Sequence, residues 1–268
     1  MKNSGIEMPH DNFTNDKANI LSVQLPETPE ELSQDEEWCV VHYNGLKKRI
    51  RFHNYDEIYE IPGLYEYLFY DILRCNSPQV VCSLLEKELK HSSLKISDLN
   101  VLDIGAGNGM VGEQLKKAGV KSVTGIDVID EAADATERDR PDIYNDYHVV
   151  NLTDIPQSTY HELKSETFNC LTTVAALGFG DIPPLAFANA YNLISTPGWI
   201  AFNIKKLFLS KKDTSGFFRL IHRIVDSGIL NIRCCRRYRH RLSLDGSPLY
   251  YCAIVGVKKA NIPMNWFK

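Results

Sequence analysis

The sequence has no uninterrupted apolar run of about 18 residues and no apolar core of signal-peptide length near its amino terminus, so neither membrane insertion nor secretion is expected. The cytosol is the default compartment. No C-x-x-C pair is present, which removes the usual zinc and dithiol redox motifs, and the seven cysteines are an odd number. They are expected as reduced thiols: Cys170 and Cys252 fall in apolar strand patterns, and the adjacent Cys234 and Cys235 should point to opposite strand faces. No metal is expected. Repeats and low-complexity tracts are missing. Acidic residues are scarce in one region only: residues 199–268 hold 14 Lys and Arg against three acids, and residues 1–198 hold 16 against 31. Such asymmetry suits an anionic partner, although a solvated basic face balanced by an acidic one is the simpler reading.

What is present reads as a globular protein of 268 residues, 44% hydrophobic and 24% charged. Residues 1–35 are acidic, carry Pro26 and Pro29 and lack an apolar period, and are expected to form a disordered tail. Residues 36–76 read as a hairpin and an aromatic helical cap. The hairpin is EWCVVHYNGLKKRIRF, two β-prone runs joined at Asn44-Gly45. The cap concentrates Tyr55, Tyr59, Tyr65, Tyr67, Phe69 and Tyr70, with Leu64, Leu68, Ile72 and Leu73 at helical spacing. Ser77-Pro78 reads as an N-cap and first helical residue, opening a helix and the domain of residues 77–268.

From residue 99 strand and helix patterns alternate, as in a parallel sheet flanked by helices. Strands are expected at 99–104, 122–128, 147–152, 170–175 and 199–204, and helices at 109–118, 130–138, 184–194 and 216–226. Two long β-prone runs joined at Asp245-Gly246 predict a terminal antiparallel hairpin. The expected fold is therefore α/β: a Rossmann-like, mostly parallel seven-stranded sheet with helices on both faces, a terminal hairpin, and an N-terminal hairpin and helical cap.

The stretch VLDIGAGNGMVG, residues 101–112, can be read in two frames. Gly107, Gly109 and Gly112 spell G-x-G-x-x-G, the fingerprint of a dinucleotide site. Asp103, Gly105, Gly107 and Gly109 spell D-x-G-x-G-x-G, which suits a different adenosine-bearing cofactor. The first loop glycine must lie where the strand ends, because the backbone turns there and approaches the ligand without a Cβ. With the strand ending at Ile104, that glycine is Gly105. An acid just before the loop also suits an ammonium group better than two phosphates. Asp127, at the tip of the next strand in GIDV, can accept from ribose hydroxyls and serves either cofactor class.

VLDIGAGNG, GIDV and the terminal hairpin together resemble the class I S-adenosylmethionine-dependent methyltransferases over about residues 77–258. The resemblance implies S-adenosyl-L-methionine as cofactor. It implies that Asp103 orients the loop and the cofactor amine, that Gly105, Ala106, Gly107, Asn108 and Gly109 line the methionine and ribose, and that Asp127 holds the ribose with Val128 against adenine. Asn151 stands where the family often has an aspartate accepting from the adenine amine, and its carbonyl can accept the same bond without charge assistance. Leu152 would offer its backbone N–H to the ring. Asn169, where an aspartate is frequent, is expected to be structural.

After the fourth strand, Thr172-Thr173-Val174-Ala175 replaces the Asn/Asp-Pro-Pro-aromatic motif of enzymes that methylate exocyclic base amines or glutamine amides. Thr173 and Val174 are expected beside the cofactor. Pro-Cys, the motif of cytosine C5 methylation, is missing too, so a small-molecule acceptor is favoured over nucleic acid, with no membrane partner and a protein partner left open. Methyl transfer needs few obligatory side chains, since alignment in a dry site does most of it. Tyr59 and Tyr65 are candidates for a lid whose aromatic faces attract a sulfonium, Tyr65 being placed at the catalytic step. His240 is a candidate general base, with Arg236, Arg237, Arg239 and Arg241 available to steer an anionic acceptor. Phe179 and Asp181 fall at the carboxyl edge of the sheet, and Asp181 is expected to cap the following helix. Rival readings are an NAD(P)-dependent oxidoreductase using the Gly107 frame, and a non-catalytic binding protein that keeps the cofactor pocket.

Overall fold

A computed structural model describes residues 21–27 and 32–267. The expected tail of residues 1–35 lies mostly outside these, but where it is described it is not loose. Ser22–Gln24 forms β1 and pairs antiparallel with β2, Trp38–Tyr43, which pairs in turn with β3, Leu46–Arg51. The turn between β2 and β3 places Asn44 at φ 52° and Gly45 at φ 79°, the two left-handed residues that a tight hairpin requires.

The cap follows as α1 (Tyr55–Glu60) and α2 (Leu64–Glu66), the latter continuing into a π-helical turn over Tyr67–Ile72. Its apolar side buries Ile58, Leu64, Leu68 and Leu73 against Cys39, Val41, Ile50 and Phe52 of the small sheet. Cap and small sheet thus share a core of their own. A buried ion pair between Glu37 and Arg241 ties that unit to the main sheet, as does the backbone bond from Leu242 N–H to the Leu73 carbonyl at 2.6 Å.

Helix α3 spans Ser77–Leu89, but Ser77 does not cap it. Its hydroxyl accepts from Tyr238 at 2.7 Å and lies 2.6 Å from His240 Nδ1, because the cap position is buried beneath the last hairpin and the hydroxyl is the nearest group that can satisfy both. Then strands and helices alternate: β4 (Asn100–Ile104), α4 (Met110–Ala118), β5 (Ser122–Asp127), α5 (Asp130–Asp139), β6 (Asp146–Val149), α6 (Gln157–Ser165), β7 (Cys170–Thr173), α7 (Pro184–Leu193), β8 (Gly198–Lys205), α8 (Phe217–Asp226), β9 (Leu230–Leu242) and β10 (Pro248–Lys258). Two departures matter for the site: β6 stops at Val149, which frees Asn151 and Leu152 as loop residues, and α6 was not expected.

The seven-stranded sheet has the order β6-β5-β4-β7-β8-β10-β9, parallel except where β10 runs against both β8 and β9. Its central strands are buried on both faces, as parallel strands covered by helices must be. One face packs on α6, α7 and α8 through Leu163, Phe187, Tyr191 and Ile224, the other on α3 and α4 through Val81, Leu85, Val111 and Leu115. After β4 the chain moves outward to β5 and β6 and then returns to add β7 on the other side of β4. The crevice at that reversal, outside the carboxyl ends of β4 and β7, is where ligands bind in open α/β sheets.

Candidate functional site

The loop after β4 begins at Gly105, the first residue beyond the strand. Gly105, Gly107 and Gly109 all have positive φ, at 66°, 53° and 87°, and Gly112 lies within α4 beneath the Tyr144 ring. Gly107 and Gly109 belong to both frames and a helix-packing Gly112 suits either, so it is Gly105, left-handed where the strand ends, that favours the count from Asp103. At Gly105 a Cβ would come within 2.7 Å of Ala176 Cβ, and at Gly107 it would take the space of the Tyr59 hydroxyl.

A cavity of about 290 Å³ opens beside this loop, lined by Gly105 after β4, Asp127 and Val128 after β5, Asn151 and Leu152 after β6, and Val174 after β7. The cap closes it from above with Tyr59 and Tyr65. Eight expected site residues thus meet in one cavity. Ala106, Gly107, Asn108, Gly109 and Thr173 stand behind its wall, and Asp103 and His240 do not reach it.

Asp103 is fully buried and holds the loop from beneath. It accepts from Thr172 Oγ1 at 2.6 Å and from Tyr144 OH at 2.7 Å, and burial pushes its carboxyl up to about 7 against the pull of those two bonds. Asp127 accepts from the N–H groups of Gly107 at 2.9 Å and Val128 at 2.7 Å, so one carboxylate joins two loops. Burial raises it above the ordinary carboxylate value, while these donors oppose the rise.

Asn151 differs from its expected role. Its carbonyl oxygen already accepts from Thr153 N–H at 2.9 Å and Thr153 Oγ1 at 2.8 Å, which uses both lone pairs and leaves the amide NH₂ as its free group. The backbone N–H of Leu152 has no partner among the described residues. Asn169 is structural, as expected: it accepts from Asn100 N–H at 2.8 Å and donates to the Asp98 carbonyl at 2.9 Å.

The cap is latched to the glycine loop. Glu66 Oε1 accepts from Arg140 Nη1 at 2.6 Å and from Asn108 Nδ2 at 2.7 Å, and the same guanidinium nitrogen donates to the Asn108 carbonyl at 3.0 Å. Arg138 donates to the Tyr59 carbonyl at 2.9 Å. Burial raises the Tyr59 and Tyr65 phenols above their usual value, so both rings stay neutral.

His240 is a buried histidine whose Nδ1 is bound to Ser77, with its ring 4.1 Å from that of Tyr251. Burial, and then the charges of Arg241 and Lys205, hold it well below its ordinary value and neutral. Tyr238 donates to the same Ser77 hydroxyl, so Nδ1 is engaged in a buried chain of hydrogen bonds. Among the arginines nearby, Arg236, Arg237 and Arg239 are exposed, but Arg241 is buried against Glu37 and is not part of a solvent-facing patch.

Asp181 does not cap α7, whose N-cap is Pro183 without a side-chain bond. Its carboxylate faces His53 in the cavity wall instead. His53 escapes a reading of the sequence, because nothing in R-F-H-N-Y announces a partner 128 residues away.

Residues 102–202 match a family described as methyltransferase domain. No curated protein matches the sequence. Among solved structures, the chain is similar to the N-methyltransferase NodS from Bradyrhizobium japonicum in complex with S-adenosyl-L-homocysteine, at 12% identity and a TM-score of 0.51 over 78% of this chain and 98% of that one. It is also similar to an S-adenosylmethionine-dependent methyltransferase from Methanosarcina mazei, at 16% identity and a TM-score of 0.47 over 65% and 98%. A methylase of a ribosomal protein from Lactobacillus delbrueckii gives 16% and 0.44 over 68% and 79%. Among the described residues no helix is long and apolar enough to cross a membrane. Residues 102–202 thus match a methyltransferase domain, and the strand order around them is that of a Rossmann-like methyltransferase fold.

Proposed function

We propose that this chain is an active methyltransferase that binds S-adenosylmethionine in the 290 Å³ cavity and serves a small-molecule acceptor. One observation carries the reading: Gly105, the first residue of the positive-φ glycine loop, and Asp127 line one cavity together with Tyr59 and Tyr65 of the cap. The residues fit the cofactor. A Cβ at Gly105 would collide with Ala176, so glycine is required where the loop leaves β4, and the Leu152 N–H, without a partner among the described residues, supplies a donor. In this reading Asp127 holds the ribose hydroxyls, Val128 lies against adenine, and the Asn151 NH₂ and Leu152 N–H address the ring. When bound, the cofactor supplies an electrophilic methyl group on a cationic sulfur. Tyr59 and Tyr65 present neutral aromatic faces that attract the cation and exclude water. Asp103 acts through the loop it supports.

Isothermal titration with S-adenosylhomocysteine tests the cofactor site. Binding by the wild type and a loss of about 100-fold on Asp127→Ala are expected, given hydrogen bonds to a charged group. No binding by the wild type, or equal binding by the variant, overturns it. Incubation of cell extract with labelled methyl donor tests the acceptor class: label is expected in the metabolite fraction, and label in protein or RNA alone overturns the small-molecule reading.

A further inference from the structure

One wall of the cavity carries a pair of titratable side chains with no role assigned above. His53, between β3 and α1, meets Asp181, in the loop after β7: Nδ1 lies 3.4 Å from Oδ1 and 3.3 Å from Oδ2. Both side chains are partly accessible, at 17% and 24%, and Nε2 has no partner among the described residues. The imidazole is held edge-on by Tyr55, 5.8 Å between centroids, and packs against Phe179 at 5.3 Å. His53 and Asp181 also line a second recess of about 40 Å³, together with Tyr55, Tyr65 and Ala175, so the pair stands where the two spaces join.

We propose that His53 is a general base, that Asp181 is its positioning residue, and that the acceptor is a planar ring bearing a hydroxyl group. The proposal rests on the methyltransferase reading above. A carboxylate on Nδ1 fixes the tautomer with the proton there and leaves the Nε2 lone pair open to the cavity, the division of labour in which one histidine nitrogen is anchored and the other works. The separation of 3.3–3.4 Å is at the long end for such a pair. Other candidates in the neighbourhood are spoken for: the His240 Nδ1 is bound, Tyr59 and Tyr65 hold their protons, and Asp127 is engaged by two backbone donors. Charged groups around His53 are Asp181 and Asp35, with Arg241 lining the same recess, Asp56 lining the larger cavity, and Lys205 over the Phe179 ring, 5.1 Å from its centroid.

The acceptor class follows from this base and its surroundings. A neutral amine carries a free electron pair and attacks without help, whereas a hydroxyl is a poor nucleophile until its proton is removed, so a held base is needed for oxygen. Tyr55, Tyr65 and Phe179 give the recess flat aromatic walls, which suit a planar ring. In the step, His53 Nε2 takes the hydroxyl proton while an oxygen electron pair forms the new bond to the methyl carbon. The donor sulfur keeps the pair of the broken S–C bond and loses its positive charge. The proton leaves His53 for water after product release.

Three measurements on the full chain test the pair. Calorimetry with S-adenosylhomocysteine comes first: failure to bind sinks the underlying methyltransferase reading, and normal binding by wild type, His53→Gln and Asp181→Ala leaves the dyad on trial alone. Long-range ¹H–¹⁵N spectra of the histidine rings, assigned with His53→Gln, are expected to show His53 protonated on Nδ1 in the wild type and as a mixture of tautomers in Asp181→Ala. A proton on Nε2 in the wild type, or no change in the variant, overturns the positioning role. The third probe is 4-nitrophenol, added to the S-adenosylhomocysteine complex at a pH where the free phenol is mostly protonated. Wild type is expected to raise its phenolate absorbance at least two-fold, with the rise lost in His53→Gln. No rise in the wild type, or an equal rise in the variant, overturns the base.

Discussion

The hydroxyl of Tyr59 lies over the backbone of Gly107, in the space that a Cβ at that position would need. The cap therefore rests directly on the cofactor loop. Its position is maintained by Glu66, whose carboxylate holds both Arg140 and Asn108, and by Arg138 on the Tyr59 carbonyl.

Gly107→Ala is expected to lower affinity for S-adenosylhomocysteine at least ten-fold. Alanine at φ 53° carries a backbone penalty of about 1–2 kcal/mol, and the new methyl group displaces Tyr59. Titration calorimetry reads the loss. Affinity within two-fold of the wild type would mean that the loop and its roof do not shape the site.

Glu66→Ala removes the latch. It strips Arg140 of its nearer carboxylate, leaving Glu113 at 3.9 Å, and Asn108 of an acceptor, so a loss of about 1–3 kcal/mol is expected. Amide exchange should rise first in residues 55–72, with β4 and β7 unchanged. Uniform protection across the cap in the variant would contradict this picture.

Asp103 makes stability depend on pH. Its folded-state value of about 7 lies above the ordinary 3.8, so between those limits the folded state keeps a proton that the unfolded state releases. Stability from this group is thus highest below about pH 4 and falls as pH rises through the window, by at most about 1.4 kcal/mol per pH unit. Asp103→Asn should remove that slope in urea midpoints measured across the window. Parallel curves for variant and wild type would rule out a raised value.

Glu37→Ala leaves the buried Arg241 guanidinium without its carboxylate, and a loss of about 3–5 kcal/mol is expected from urea unfolding. Replacing Glu37 and Arg241 together by methionine should lose less than the single change. A double variant as unstable as Glu37→Ala would show that the pair itself stabilises the fold.

Much of the site was written in local chemistry. The strand ending at Ile104 and the three glycines after it set the loop frame through backbone sterics alone, and Asp127 followed as the last residue of the neighbouring strand. Asn44-Gly45 and Asp245-Gly246 marked their turns for the same reason. Misreadings arose where a local rule met a distant partner: Ser77 has the chemistry of a helix cap, but its hydroxyl serves Tyr238 and His240, and Asp181 turns from the next helix toward His53. Asn151 kept its place in the cavity yet spends its carbonyl on Thr153.

The sequence by itself determined the order of elements, the glycine loop after β4 and the acid at the end of the neighbouring strand, because glycine conformation, strand periodicity and turn chemistry act over a few residues. Only the tertiary structure decided which side chains share the cavity opposite the cofactor loop. His53 and Asp181 are 128 positions apart and belong to segments with no mutual pattern, and they meet because a cap with its own core is folded back over the reversal point of the sheet. Proximity of that kind is a property of packing, which no spacing along the chain encodes.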